Sequence, residues 1–310
     1  MLTRPFRIAR GSRSEADVVT VSIAADGAIG RGECTPYARY GEDVPGTIAA
    51  IERLRAAVEG GADRAAVDGL LPPGAARNAI DCALWDLEAK LGRATLPTVA
   101  RTATAITVVI DTPDVMAAEA AKLAHAPLIK VKVGADDPLA RIAAVRAAAP
   151  LPRLIVDPNE SWSVAQLASL QDALADLRVD LLEQPIPADQ SAALTGFARR
   201  VPLAADEAVH TAADVAGLVG RYDVANIKLD KTGGLTEALR LADAARSAGL
   251  GVMVGCMLGS SLAMAPALVV AQGADFVDLD GPYLFAADRV DGIIFDNGVI
   301  VPPSPGFWGC

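Results

Sequence analysis

From about residue 104 to about residue 279 the chain alternates short, apolar, β-rich runs with Ala/Leu-rich helical stretches, a rhythm that few folds share. Strands are expected near 104–110, 128–133, 153–157, 180–184, 202–206, 223–228, 250–254 and 275–279. Segments such as Pro113 to Leu123, Pro138 to Ala148 and Leu235 to Ala248 supply the helices between them. Eight strands, each followed by a crossover, fit a closed parallel barrel better than an open doubly wound sheet. No G-x-G-x-x-G follows the first strand, and Gly233-Gly234 alone makes no dinucleotide fingerprint.

Residues 1 to about 100 read differently, as mixed α+β. Val18 to Ile23 alternates weakly and leads through Asp26-Gly27 into Ile29 to Glu33, which predicts a hairpin. Thr47 to Val58 and Ala75 to Leu91 read as helices. The second sets Ile80, Leu84, Leu87 and Leu91 on one face and is capped by Gly92. At the other end, Ile293 to Phe295, the turn Asp296-Asn297-Gly298 and Val299 to Val301 predict a small hairpin returning to the N-terminal domain. The expected division is therefore a domain over 1–100, completed by 281–310, and a barrel over 101–280.

Within the barrel, three expected strands end on acids. They read Leu154-Ile155-Val156-Asp157, Leu181-Leu182-Glu183 and Leu203-Ala204-Ala205-Asp206. A lone acid there most often caps the next helix. Three in register, at intervals of about 25 residues, are costly to bury unless a cation compensates them. Three carboxylates without His or Cys suit Mg²⁺, with Mn²⁺ as a substitute. Lysines bracket the acids, in Ile129-Lys130-Val131-Lys132-Val133 before and Asn226-Ile227-Lys228 after. Barrel chemistry sits at the C-terminal strand ends, and strands two and six of eight are opposite. Lys132 and Lys228 would then face an intervening carbon from two sides, equipped to remove a proton and return one. Mg²⁺ would stabilise the enediolate formed when a carbon next to a carboxylate is deprotonated. Burial and a nearby cation are expected to lower the lysine pKa values.

Period two adds neighbours on the same face. Lys130 accompanies Lys132 as a fixed cation for a substrate carboxylate. Asn159 accompanies Asp157, and Asn226 accompanies Lys228, as supporting donors. Asp278 and Asp280 share a face at the end of strand eight and suit an ammonium group, or else cap Gly281-Pro282. His125 reads as exposed, and His210 as a neighbour of the Asp206-Glu207 strand end.

Bulk properties exclude other classes. The 310 residues carry a net charge of −10, which argues against nucleic acid or an anionic membrane as partner. No apolar stretch approaches the roughly 18 residues a membrane span needs, and Met1 to Arg13 lacks a signal-peptide core. Cys34, Cys82, Cys256 and Cys310 are scattered and read as reduced thiols of a cytoplasmic protein. The oligomeric state, a homo-oligomer included, is left open.

Taken in order, Lys130-Val131-Lys132, Asp157, Glu183-Gln184-Pro185, Ala205-Asp206-Glu207 and Asn226-Ile227-Lys228 resemble the muconate-lactonizing branch of the enolase superfamily. Further stretches are similar to its dipeptide epimerases: Ile8 to Ala16, Gly32 to Tyr37, Arg39 to Glu42, Asn159 to Trp162, Asn226 to Leu239 and Gly255-Cys256-Met257-Leu258. The resemblance implies a modified (β/α)₇β TIM-type barrel under an α+β capping domain built from both termini. It implies Lys132 and Lys228 as acid/base catalysts, Lys130 at the substrate carboxylate and Asp157, Glu183 and Asp206 as metal ligands. Asp278 and Asp280 would hold a dipeptide's amino terminus, and Arg10 or Arg13 of a flexible loop would face a glutamyl side chain. Thr107 and Met257 fall to the substrate shell, Glu207 to the surroundings of the metal.

The implied function is Mg²⁺-dependent epimerisation of L-Ala-D/L-Glu in murein peptide recycling. Other reactions of the same branch stand beside it: N-acylamino acid racemisation, o-succinylbenzoate synthesis, muconate cycloisomerisation or epimerisation of a different dipeptide. Their acyl and muconate substrates have no free amino terminus for paired aspartates to hold. A barrel that only sequesters a ligand would have no use for two opposed lysines. Two departures from the family pattern stand out. The first capping strand is expected to be missing at the N-terminus or the start site to be misplaced, and Pro158 follows Asp157 where small residues are usual.

Overall fold

The computed structural model describes residues 1–309 and contains a parallel eight-stranded barrel and a separate N-terminal sheet domain. The barrel strands are β1 (Ala105–Val108), β2 (Leu128–Lys132), β3 (Arg153–Asp157), β4 (Leu181–Glu183), β5 (Leu203–Ala205), β6 (Val224–Ile227), β7 (Gly251–Gly255) and β8 (Phe276–Asp278). Each is hydrogen-bonded to the next in chain order, from β1 round to β8. The ring closes between β8 and β1 through side chains. Thr104 Oγ1 accepts from Leu279 N at 2.9 Å, and Asp280 Oδ2 accepts from Thr107 N at 2.7 Å.

One buried apolar residue per strand fills the barrel floor: Ala105, Leu128, Ile155, Leu181, Ala204, Val224, Met253 and Phe276. Strand alternation puts the residue two positions on above each of these. That next layer is Thr107, Lys130, Asp157, Glu183, Asp206, Asn226, Gly255 and Asp278. The floor is thus hydrocarbon and the layer above it almost wholly polar. Outward-facing Val131, Leu154, Val156 and Leu182 pack into the main core.

Helices Pro113–Lys122, Pro138–Ala148, Val164–Asp176, Leu235–Ser247 and Ser261–Ala271 serve as crossovers. Two crossovers carry no long helix. A 3₁₀ turn, Ala188–Leu194, follows β4, and Ala212–Asp214 with Val215–Leu218 follows β5. Pro266 lies inside the helix Ser261–Ala271, whose residues are all buried, so packing overrides the breaker.

In the N-terminal domain the expected hairpin forms as Val19–Ala25 and Ala28–Cys34. Its turn residues Asp26 and Gly27 have φ +49° and +81°, as a type I′ turn requires. A Cβ on Gly30 or Gly32 would stand 2.1 Å from a carbonyl oxygen of Ala83 or Ala79. The helix Ala75–Lys90 therefore lies directly on the strand backbone, with Ile80, Leu84 and Leu87 buried. The C-terminal hairpin forms as Ile294–Asp296 and Val299–Val301 but pairs with Thr102–Ala103, at the entrance to the barrel. It is Trp308 and Gly309 that return to the N-terminal domain. Trp308 Nε1 donates to Cys82 O at 3.2 Å, and Gly309 N donates to Asp86 Oδ1 at 2.7 Å. Among the described residues no helix is long and apolar enough to cross a membrane.

Buried carboxylates fasten the cap to the barrel. Glu33 accepts from Ser260 N and Ser260 Oγ, both at 2.7 Å, and pairs with Arg289 at 2.6 Å. Asp230, two residues past Lys228, accepts from Thr35 N at 3.0 Å and Asn78 Nδ2 at 2.8 Å. Burial pushes the Asp230 carboxyl up to about 7, and its two hydrogen bonds only partly offset that. An acid whose folded pKa exceeds its unfolded value stabilises the fold fully below the unfolded pKa. That contribution is lost as pH rises through the folded pKa. Asparagine keeps an acceptor oxygen and does not titrate. Asp230→Asn should therefore lose less thermal stability than the parent between about pH 5 and pH 8. Melting curves across that range check it; equal slopes would free Asp230 of this role.

Candidate active site

The site begins where strand alternation turns the barrel interior from apolar to ionic. Asp157 and Glu183 are fully buried and Asp206 nearly so. Lys130 Nζ lies 2.7 Å from Glu183 Oε2, 2.8 Å from Asp278 Oδ2 and 3.1 Å from Asp157 Oδ2. One layer up, Lys132 Nζ lies 2.5 Å from Asp157 Oδ2. Lys228 Nζ lies 2.6 Å from Asp206 Oδ2 and 3.9 Å from Glu183 Oε1. Gly255 makes room for that lysine, since a Cβ there would come within 3.0 Å of its Cε. The two lysines stand four strands apart around the ring, the separation expected of them.

The supporting residues meet the acids directly. Asn159 donates to Asp157 from its backbone at 2.8 Å and from Nδ2 at 3.2 Å. It does so at φ +48°, followed by Glu160 at φ +66°, so two residues just past Pro158 are left-handed. Asn226 Nδ2 donates to Glu183 Oε1 at 2.9 Å.

A cavity of about 220 Å³ opens above this layer. Lys130, Lys132, Lys228, Asp206, Asp278 and Asp280 line it from the barrel, as do Thr107, Asn159, Glu207 and Met257. Arg10, Arg13, Tyr37 and Tyr40 line it from the cap. Asp157, Glu183 and Asn226 lie beneath it. The Asp278–Asp280 pair divides its duties. Asp278 Oδ2 faces Lys130 and its buried Oδ1 has no hydrogen-bond partner, whereas Asp280 Oδ2 is taken by Thr107 N.

The hairpin Phe6–Ile8 and Gly11–Arg13 leans over the cavity with Arg10 at its turn. Arg10 reaches Glu207 Oε1 at 2.7 Å, Glu160 Oε2 at 3.1 Å, Asn159 O at 3.3 Å and Tyr37 OH at 3.2 Å. Arg13 sits 5.5 Å from the Tyr37 ring centroid and has no ion pair among the described residues. His210 packs edge-on against Tyr40, with centroids 4.7 Å apart, while His125 is exposed. Cys34 and Cys82 are buried and Cys256 is half-buried; burial pushes all three thiols well up. Cys310 lies outside the described residues.

Tyr37, Tyr40, Lys231 and Gln184 were given no role from the sequence. Lys231 follows Lys228 by one helical turn, a spacing that could have flagged it, and is buried against Asp206. Gln184 has φ +34°, and its Oε1 accepts from Asp206 N at 2.9 Å and Ala208 N at 3.1 Å. Nothing in local sequence marks that role.

Among the described residues no three His, Cys, Asp or Glu side chains stand together as a formed metal cage. The acids are turned to ammonium groups instead. Their chemistry nonetheless fits a hard divalent cation: all donors are oxygens, and Glu183 Oε2 accepts no well-directed hydrogen bond although it lies beside Lys130.

Electrostatics follow from these pairings. Burial, then Asp157, pushes Glu183 up to about 7. Burial, then Asp206, does the same to Glu207, and burial with Asp278 does so to Asp280. Asp157 falls below the usual carboxylate range because Lys132 and Lys130 outweigh its burial. Lys130 and Lys228 run against expectation. Burial lowers their pKa values, but adjacent carboxylates raise them further, and both end well above the ordinary lysine value. The sequence reveals burial but not the pairing that reverses it. Lys231 is held below the ordinary value, chiefly by burial.

Opposed lysines above buried acids, at the C-terminal end of such a barrel, define a class of proton-transfer enzymes. The N-terminal domain description of mandelate racemase and muconate lactonizing enzyme matches residues 1–99, and the enolase C-terminal domain-like description matches 115–307. The chain belongs to the enolase superfamily, in its muconate-lactonizing branch, and is an isomerase of the epimerase and racemase kind.

It is 48% identical to L-Ala-D/L-Glu epimerase of Escherichia coli (strain K12), over 96% of this chain and 95% of that protein. It is 42% identical to N-acetyl-D-glutamate racemase of a Pseudoalteromonas species, over 94% and 95%. An enolase family member from Agrobacterium tumefaciens with homology to dipeptide epimerases, solved with bound sodium and L-Ala-L-Glu, matches with TM-score 0.96. It is 47% identical and covers 99% of this chain and 96% of its own. Other solved dipeptide epimerases that the chain resembles are complexed with Mg and a dipeptide.

Proposed function

We propose that this protein epimerises L-Ala-D/L-Glu, at the α-carbon of the glutamyl residue, as a step in recycling murein peptides. The observation that carries the reading is the pair Lys132 and Lys228, each held by its own aspartate on opposite sides of one cavity. One lysine removes the α-proton from its face and the other delivers a proton to the opposite face, which inverts the centre. Lys130 neutralises the α-carboxylate next to that carbon. Asp157, Glu183 and Asp206 would hold Mg²⁺, with Mn²⁺ as substitute. When bound, the ion supplies positive charge against the negative charge that builds as the proton leaves. Acids engaged by that ion would no longer raise the Lys228 ammonium as they do here, which would bring it within reach of the base role.

The two ends of the dipeptide meet different parts of the fold. Asp278 lines the cavity and its buried Oδ1 is unpartnered, which suits the amino terminus. Arg10 is already committed to Glu207 and Glu160, so Arg13 is left for the glutamyl side-chain carboxylate. The relative at 42% identity favours a second reading, racemisation of an N-acylated glutamate, in which no ammonium group needs an acid.

Three experiments test this function. EDTA should abolish turnover and Mg²⁺ restore it, and Asp157→Asn, Glu183→Gln or Asp206→Asn should each cost several orders of magnitude. Undiminished activity in metal-free enzyme would remove the metal from the mechanism. Asp278→Ala should lower kcat/KM for L-Ala-Glu by roughly 10- to 150-fold, corresponding to about 1.5–3 kcal/mol for a charge-assisted contact. N-acetylglutamate should lose far less; equal losses, or N-acetylglutamate as the better parent substrate, would favour the second reading. Finally, Lys132→Ala and Lys228→Ala should both lose epimerisation while each still exchanges the α-proton of one isomer in D₂O. The two variants should exchange opposite isomers, and exchange of the same isomer by both would rule out the two-base mechanism.

A further inference from the structure

Each of the two opposed lysines shares its aspartate with a second buried lysine. Lys132 and Lys130 meet at Asp157 Oδ2, at 2.5 and 3.1 Å. On the other side Asp206 is divided between two lysines, with Oδ2 going to Lys228 at 2.6 Å and Oδ1 to Lys231 at 2.7 Å. Lys130 borders the cavity, whereas Lys231 is 1% exposed and does not line it.

An ammonium group has three donors, and Lys231 has three acceptors. Besides Asp206 Oδ1 they are Asp206 O at 2.5 Å and Asn226 O at 2.9 Å. Those two carbonyls belong to the ends of strands five and six. Lys231 therefore ties the strand end that carries Asp206 to the one that carries Lys228. It also fixes which carboxylate oxygen faces the other lysine.

We propose that Lys231 is a positioning residue for one half of the reaction. By holding Asp206 Oδ1 it presents Oδ2, and with it Lys228, to the substrate carbon, and it does nothing for Lys132. Without that hold, both oxygens of Asp206 are free to turn onto Lys228. Lys132 depends on Asp157 and keeps its geometry. The proposal rests on the epimerase reading above.

The test is α-proton exchange in D₂O, followed by NMR for L-Ala-L-Glu and L-Ala-D-Glu at saturating Mg²⁺, in the parent, Lys228→Ala and Lys231→Met. Lys231→Met should slow exchange of the isomer that Lys228→Ala cannot exchange by about a hundredfold, the cost of misplacing a reacting group, and keep the other within about threefold. Equal slowing of both isomers would mark Lys231 as merely structural and overturn the proposal.

Calorimetry with Mg²⁺ alone gives a second readout. Loss of a positive charge by itself would tighten cation binding, whereas loss of a hold on Asp206 should weaken it by about tenfold. Unchanged or tighter binding would also overturn the proposal. If Lys231→Met does not fold, Lys231→Gln keeps two donors and carries the same comparison, with a smaller split between isomers. A parent that exchanges neither dipeptide would defeat the functional reading, while calorimetry still decides whether Lys231 holds Asp206.

Discussion

The interior of this barrel depends on keeping four buried acids, Asp157, Glu183, Asp206 and Asp278, neutralised at once. Isolated carboxylates in such a place would cost many kcal/mol or give up their charge. Lys130 bears much of the compensation, with three of the four within 3.1 Å of its ammonium group. Lys132, Lys228 and Lys231 take the rest. Removing one partner from such a set leaves an uncompensated charge and costs roughly 3–5 kcal/mol. The polar layer therefore stands or falls with the lysines, and in the proposed reaction two of them also move the protons. Stability and chemistry draw on the same contacts here.

That constraint explains what could be read from the sequence and what could not. The three acids stood out because each closes an apolar strand, and period two linked Lys130 to Lys132 and Asn159 to Asp157. The barrel itself was legible because its strands recur at near-regular spacing. Features that depend on distant segments meeting were not. Asp280 pairs with the backbone of Thr107 across the unladdered seam, and Gln184 reaches Asp206 N and Ala208 N. The direction of the Lys228 shift needed the acids' positions, because burial and pairing push opposite ways and only their distances decide the sum.

The cap and barrel divide the site. Every acid and lysine of the ionic layer comes from the barrel, where rigid parallel strands hold them. Arg10, Arg13, Tyr37 and Tyr40 come from the cap and reach the cavity from a two-stranded hairpin and from turns. Loops can vary without disturbing the ring, which makes the cap the natural place for side-chain selectivity. Burying Glu33 and Asp230 between the two parts sets the cap at a fixed height above the lysines, so that selectivity and chemistry act on one molecule.

The seam between β8 and β1 carries a consequence for the paired aspartates. Everywhere else in the ring, ladder hydrogen bonds fix neighbouring strands, so closure there asks nothing of the side chains above them. At the seam, Asp280 supplies closure by accepting from Thr107 N, and that one oxygen, Oδ2, serves the fold. Asp278, one layer lower, is steadied by Lys130 through Oδ2 and keeps Oδ1 unpartnered. Two acids that share one face of a strand thus differ in how their oxygens are engaged. The difference follows from where the ring closes, not from the residues' type or spacing. Asp280 spends one oxygen on closing the ring, whereas Asp278 keeps a buried oxygen without a hydrogen-bond partner, although both residues border the same cavity.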